Sequence, residues 1–410
     1  MPVAGLRGTG DWGTDERPKN FRENILFISP AGTAPIFALT SKAGMKTVDD
    51  PEFAWWAEMQ NLVRLQANGS HAAAITLINV DSVDPTSSTM SALYGDARNL
   101  KPGDVLLVEP STDNATFNHE LIEVDQVLSA TQFVAKRGVG GTTAATISND
   151  AYLVLLSSSY AEGTGAPPAV SRNPVKFSNY TQIFKDTYEL TGTADATATR
   201  TGSPWSNDKK RKSFDHARNI EMSMLFGRAY ETIGDNGKPK RFMAGIRSLL
   251  PSANVTVFGA AVTAASFADA VAPVFNFDCG GGDTRIVFMG NQARSEMGKV
   301  IQGTTGIRME LGNTIKVWGM DFQEFITPMG RLLLKSHPLM SQHPIYKSSA
   351  FILDFAAIKY VALKGRDTKY FDDVQAKDED LRRGYVQTEC SLMLDGGGLS
   401  CGYLGKISAT

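Results

Sequence analysis

The stretch from Lys136 to Gly227 reads KRGVGGTT, then YAEGTGAPPAV, then NYTQIFKDTYELTGTA, then KKRKSFDHARNIEMSMLFG. A β-rich excursion dense in Gly, Thr and Ser runs directly into one long, charged helix. That helix is expected over about Asn207 to Ile233, ended by Gly234 and Gly237. Phe214, Ala217, Ile220, Met224, Leu225 and Ala229 recur at helical spacing and form one apolar stripe. The opposite face carries Lys210, Arg211, Asp215, Arg218, Glu221 and Arg228. Arg218 and Glu221 are placed to pair along it, worth about 0.2–0.5 kcal/mol. A helix this long and this polar on one side is not a core element. It should lie half buried under a sheet with its charged side open to neighbours.

The chain has 410 residues, 42% hydrophobic and 20% charged, enough for a sizeable core and two or three domains. A net charge of -2 gives no general basic face, which argues against sequence-specific nucleic-acid binding. Cys279, Cys390 and Cys401 are odd in number and widely spaced, so neither a disulfide framework nor a zinc site is expected. The N-terminal segment lacks a signal-peptide shape. The most apolar window, Gly259 to Phe277, is broken by Asp269 and Pro273 and reads as a buried helix rather than a membrane span. The N-x-Ser/Thr matches at Asn68, Asn114, Asn179 and Asn254 are then chance matches, and a soluble intracellular product is expected.

Residues 1–50 are irregular and need something to lie along. A helix is expected from Asp50 to about Gln66, with Pro51 in its first turn and Phe53, Trp56, Met59, Leu62 and Val63 at helical spacing. A strand is expected at 74–80; after a polar stretch, strands at 103–109, 120–128, 132–138 and 152–158 are spaced like a small β module or partial barrel. Residues 162–174 are a linker by composition. In 182–190, Ile183, Lys185, Thr187 and Glu189 alternate against Phe184, Asp186, Tyr188 and Leu190. From Gly245 to about Pro338 the pattern is mixed α/β, with helices near 264–276 and 291–302. A strand is expected at TRIVFMG, and a hairpin turns at 327–330. Ser349 to Leu363 reads as a strand or strand pair. In the last segment Val386, Thr388, Cys390, Leu392 and Leu394 alternate against Tyr385, Gln387, Glu389 and Ser391, a sheet expected to return onto the long helix.

No constellation points to catalysis. GTGDWG at 8–13 matches G-x-G-x-x-G but lacks the strand before it and the helix after it that phosphate binding requires. CGGGD at 279–283 and DGGGLS at 395–400 do not continue into GK[ST] and read as turns. His71, His119, His216, His337 and His343 form no metal motif; the two that precede proline should be extended. His216 is expected on a polar interface. No G-x-S-x-G occurs, and the carboxylate runs near 49, 372 and 378 read as solvated surface.

Two features suggest contacts. Lys209, Lys210, Arg211 and Lys212 put positive charge at a helix start, opposing the macrodipole at a cost of about 0.3–1 kcal/mol. Either an external anionic partner compensates or the helix start is simply solvated. Of Trp55 and Trp56, the helical stripe takes Trp56, which leaves Trp55 to anchor on a neighbour.

Arg137-Gly138 with Gly141-Thr142-Thr143, Glu162-Gly163, Asn179 to Phe184, Leu190 to Thr193, and RNIEMSMLFG at 218–227, preceded by APIFAL and FAWW, occur in an order that resembles the tailed-bacteriophage major capsid proteins of the Hong Kong 97 type. The resemblance implies an α+β fold: an N-terminal arm (1–50), a peripheral-domain helix (51–72), an extended loop (73–200) with an inserted β module (about 100–160), a spine helix (201–244), an axial α/β domain (245–340) and a return to the peripheral domain (341–410). It implies no enzyme activity and no cofactor. It implies hexamers and pentamers of one protein in an icosahedral head around double-stranded DNA, assembled in the host cytoplasm without membrane contact. Portal and scaffolding or decoration proteins would be its partners. Near-neutral charge suits the wall of a DNA container. On this reading Trp55, Lys209, Lys210, Arg211, Lys212, Arg218 and Glu221 are the candidate inter-subunit contacts. An encapsulin-like compartment shares the fold; a β-rich phage adhesin would explain the module but not the long helix.

Overall fold

The computed structural model describes residues 44–58, 63–81, 96–109, 119–171, 174–197, 199, 202–303, 311–317 and 320–408. GTGDWG, APIFAL and most of the arm lie outside these residues. In chain order the elements begin with β1 (Met45–Val48), β2 (Glu52–Ala57), β3 (Arg64–Gln66), β4 (Leu77–Asn79), β5 (Asp104–Glu109), β6 (Leu121–Val127), β7 (Gln132–Val139) and β8 (Tyr152–Ser158). Then come β9 (Val175–Tyr180), β10 (Gln182–Thr191), α1 (Pro204–Phe226), β11 (Tyr230–Ile233), β12 (Pro239–Phe242), β13 (Val255–Val257), α2 (Ala264–Phe275) and β14 (Thr284–Met289). The chain closes with α3 (Asn291–Gly303), β15 (Leu311–Val317), β16 (Met320–Thr327), β17 (Gly330–Ser336), β18 (Ala350–Leu353), β19 (Ile358–Leu363), β20 (Lys369–Phe371), β21 (Leu381–Leu394) and β22 (Gly402–Gly405).

The β module is wider than the expected 100–160. Its six strands run in the order β3-β8-β5-β6-β7-β4. An Ala67–Val80 bridge, with Asn68 N–H donating to Asn79 O (2.9 Å) and Asp81 N–H to Gln66 O (2.9 Å), joins the last strand to the first. The module thus closes on itself at this end as a barrel, which shortens the strand edge open to another chain. Alternate residues fill it: Leu65, Ile78, Leu106, Ile122, Phe133 and Leu153 are each at most 1% exposed.

Two larger sheets share the remaining core. One runs β1-β19-β21-β10, with β20 added on β21. The other is seven-stranded, β13-β22-β18-β14-β17-β16-β15. The segment 349–363 is thus a strand pair divided between the two sheets, β18 in one and β19 in the other. The buried side chains Ile220, Met224 and Leu225 of α1 join Phe184 and Leu392 of the first sheet and Phe288 and Phe351 of the second in one cluster. The second sheet's other face is covered by Phe267 and Val271 of α2 and Ala293 and Met297 of α3. As expected, β21 returns to the long helix.

Several expectations fail locally. The helix expected over 50–66 is absent from its described residues: β2 pairs antiparallel with β9 and its burial alternates strictly, β3 pairs with β8, and Met59 and Leu62 lie outside the described residues. A run of Phe, Trp and Trp satisfies a pleated, half-buried surface as well as a helical stripe, and β9, over a hundred residues away in sequence, selects the strand. The arm does not extend to 50, because β1 pairs in parallel with β19. The long helix starts at Pro204 and stops at Phe226, well short of Ile233. It stops because Gly227 crosses Gly245: Gly245 N–H donates to Gly227 O (2.9 Å), and a Cβ on Gly227 would lie 2.5 Å from Met243 O. Residues 230–242, partly expected as helix, form the β11–β12 hairpin.

Candidate assembly surfaces

The two tryptophans have the opposite burial to that expected. On a strand, Trp55 shares a face with Phe53, and it is 5% exposed while Trp56 is 63% exposed. Trp55 Nε1–H donates to Leu394 O (3.1 Å), and its ring stacks between Phe53 and Phe177. Trp55 is therefore an internal clamp of β2 onto β21. The aromatic open to a partner is Trp56, opposite Lys176 on β9.

The KKRK run is also divided by the fold. Because α1 starts at Pro204, the run lies beyond its first turn, where the dipole penalty has largely faded. Lys209 Nζ is 2.6 Å from Asp372 Oδ2 and lies over the rings of Tyr188 and Tyr370. Hydrogen bonds from Lys209 and from the Tyr188 hydroxyl hold the Asp372 carboxyl below its ordinary range. Lys209 thus ties the helix to its own subunit. Arg211 reaches Asp208 (3.4 Å), and Arg218 pairs with Asp215 (3.2 Å), not with Glu221. Lys210, Arg211 and Arg218 are exposed and Lys212 half-buried.

Glu221 is not on the charged face. It is fully buried, with Oε1 2.7 Å from His337 Nε2. His337 Nδ1 accepts from Met340 N–H (3.3 Å), so the proton sits on Nε2 and points at the carboxylate. The sequence holds a signal for this: Glu221 is four residues after Ala217 and three before Met224, within the apolar stripe. The extended backbone expected at His337 and His343 is present at both.

A second buried network has the connectivity of a catalytic relay. His216 Nδ1 is 2.7 Å from Asp186 Oδ2, its Nε2 is 2.8 Å from Thr388 Oγ1, and Thr388 Oγ1 is 2.8 Å from Thr368 Oγ1. The Thr388 side chain is fully buried, so no substrate atom can approach its hydroxyl. The network instead pins α1 to β10 and β21. Asp186 and Thr388 each fall on the apolar face of a strand, the sequence sign that each needs a buried partner.

A family model, the SU10 major capsid protein, matches residues 6–396. The chain belongs to this family. It is therefore a phage major capsid protein, a structural component of the virion. A curated relative, the major capsid protein of Pseudomonas phage PaMx41, is 27% identical over 363 residues, 86% of this chain and 80% of that protein. Among solved structures, the capsid of a native GTA particle aligns with a TM-score of 0.46 at 10% identity over 96% of each chain. The holo-SrpI encapsulin complex from Synechococcus elongatus PCC 7942 aligns with a TM-score of 0.42 at 11% identity, covering 58% of this chain and 77% of that one.

In this capsid protein the Arg137-Gly138 motif has a definite structural task. Arg137 Nε and Nη2 each lie 2.7 Å from an oxygen of Glu120, and Nη1 donates to Ala72 O (3.1 Å) and Ile75 O (3.0 Å). Gly138 and Ala145 N–H donate to the same carboxylate at 3.0 and 3.1 Å. Burial raises the Glu120 carboxyl, but the Arg137 and amide hydrogen bonds outweigh it and hold the group below its ordinary value. This pair locks the barrel's turns rather than a contact between copies. Cys279, Cys390 and Cys401 are free thiols. No helix among the described residues is long and apolar enough to cross a membrane.

Proposed function

We propose that this capsid protein assembles as hexamers and pentamers into a closed icosahedral shell of the Hong Kong 97 type around double-stranded DNA. The family match over residues 6–396 carries the reading. The element order supports it: barrel, long helix, mixed α/β segment, then a strand returning to the helix. In this reading the barrel is the extended loop's inserted module. The sheet containing β10 and β21 is the peripheral domain, and the seven-stranded sheet is the axial domain. Portal and scaffolding or decoration proteins complete the particle, which assembles in the host cytoplasm.

Contact between copies then falls to side chains that the subunit leaves outside: Trp56, Lys210, Arg211, Lys212 and Arg218. The internal partners of Trp55, Lys209 and Glu221 argue against that role for them. Shell stability comes from many modest contacts acting together. Negative-stain microscopy of the expressed chain tests the reading. Uniform closed shells are expected; a protein that stays monomeric or trimeric at high concentration overturns it.

A further inference from the structure

A cleft of about 870 Å³ opens at the C-terminal end of α1, lined by Phe226, Arg228, Arg247, Val257, Tyr346 and Tyr403 among others. None of its lining residues is acidic. Arg247 is held over the Tyr403 ring, its guanidinium carbon 4.7 Å from the centroid, and neither arginine makes an ion pair among the described residues. One wall includes β13, the terminal strand of the seven-stranded sheet, and Val257 is 52% exposed there. The cleft thus offers two positive charges and aromatic and aliphatic walls. These match a segment bearing carboxylates and apolar side chains together.

The chain displays such a segment. The loop from Asp372 to Asp380 projects beside the N-terminal part of α1, where Asp372 meets Lys209. Asp373 and Glu379 are matched by Arg382 and Arg383, whereas the exposed Asp378 and Asp380 have no ion pair among the described residues. Phe371 and Val374, where the chain enters this loop, are 37% and 39% exposed. Most of a 23-residue helix, roughly 30 Å at 1.5 Å per residue, separates this loop from the cleft, so one subunit cannot bring the two together.

We infer that the arginine cleft of one copy receives the 372–380 loop of a second copy. The contact is heterologous, concave surface to convex loop, the type that closes into rings when the rotation permits. Asp378 and Asp380 face Arg228 and Arg247, and Phe371 and Val374 meet the Val257 and Tyr346 wall. The inference rests on the shell reading and names one of its contacts.

Full-length chain is tested for shells by microscopy and sedimentation. Arg228→Glu with Arg247→Glu is expected to abolish shells while the subunit stays folded, and so is Asp378→Lys with Asp380→Lys. Combining all four changes should restore shells, because the charges are exchanged rather than removed. Either pair assembling like the wild type overturns the contact, as does failure of the combination to rescue. Loss confined to the arginine pair overturns it in favour of another anionic occupant. Val257→Cys with Val374→Cys provides a readout independent of closed particles. Oxidation should give a ladder of linked subunits, and its absence overturns the contact. A ladder from protein that forms no shells keeps the contact and overturns the shell reading.

Discussion

Glu221 and His337 are joined by a 2.7 Å hydrogen bond between two fully buried side chains, one on α1 and the other just beyond β17. The bond fastens the long helix to the seven-stranded sheet. Glu221→Ala would leave the imidazole N–H buried without an acceptor, a loss of about 1–3 kcal/mol. Glu221→Gln keeps an acceptor and should lose less. Urea unfolding of the unassembled subunit measures the difference; equal loss in both variants would contradict the assigned bond.

Glu120 and Arg137 make the barrel acid-sensitive. The folded pKa of Glu120 lies below the ordinary value of 4.5, so its ionised form contributes stability fully above that pH. The contribution is lost as pH falls through the lower, folded value. Arg137→Met strands the carboxylate and should cost about 3–5 kcal/mol near neutral pH. That deficit should shrink progressively in acid. Hydrogen-exchange protection of β6 and β7 between neutral pH and pH 3 follows both effects.

Trp55 and Trp56 should separate folding from assembly. Trp55→Ala removes a stacked, hydrogen-bonded core ring and should cost about 3–5 kcal/mol. Trp56→Ala should leave the subunit's melting temperature unchanged and lower shell yield. Shells at wild-type yield from Trp56→Ala would remove it from the interface.

Lys209→Glu would set a carboxylate against Asp372 and should destabilise the subunit itself. Lys210→Glu with Lys212→Glu should leave the fold intact. If these residues meet packaged DNA or a neighbour's carboxylates, that variant loses DNA retention or assembly most strongly at low salt, where charge is least screened. A response unchanged from wild type would mark the helix start as merely solvated.

The thiols should differ in reactivity. Burial pushes Cys390 and Cys401 up to about 12, so neither presents thiolate at neutral pH. Cys279 is also raised by burial but is only half-buried. Maleimide labelling of native protein should modify Cys279 alone, with the other two reacting only after denaturation. Early labelling of Cys390 would mean that the first sheet opens readily.

The amino-acid pattern alone specified the elements whose signal is local. The close spacing of short apolar runs at 120–128, 132–138 and 152–158 marked barrel strands, the 3.6-residue stripe through Ile220, Met224 and Leu225 marked the long helix, and the alternation from Tyr385 to Leu394 marked the strand that returns to it. The order of short motifs led to the capsid family. Tertiary structure decided what depends on partners distant in the chain. Phe53 to Trp56 fits a helix or a strand, and only pairing with Val175–Tyr180 buries Trp55 and exposes Trp56. The helix ends at Phe226 because Gly245 comes back against Gly227, a contact no local propensity encodes. Lys209 reads as a surface charge, and Glu221 falls inside the apolar stripe with no buried partner visible in the sequence; the fold supplies Asp372 to the one and His337 to the other. A charge becomes a bridge within the subunit or a contact outside it according to what the fold brings within about 3 Å of it.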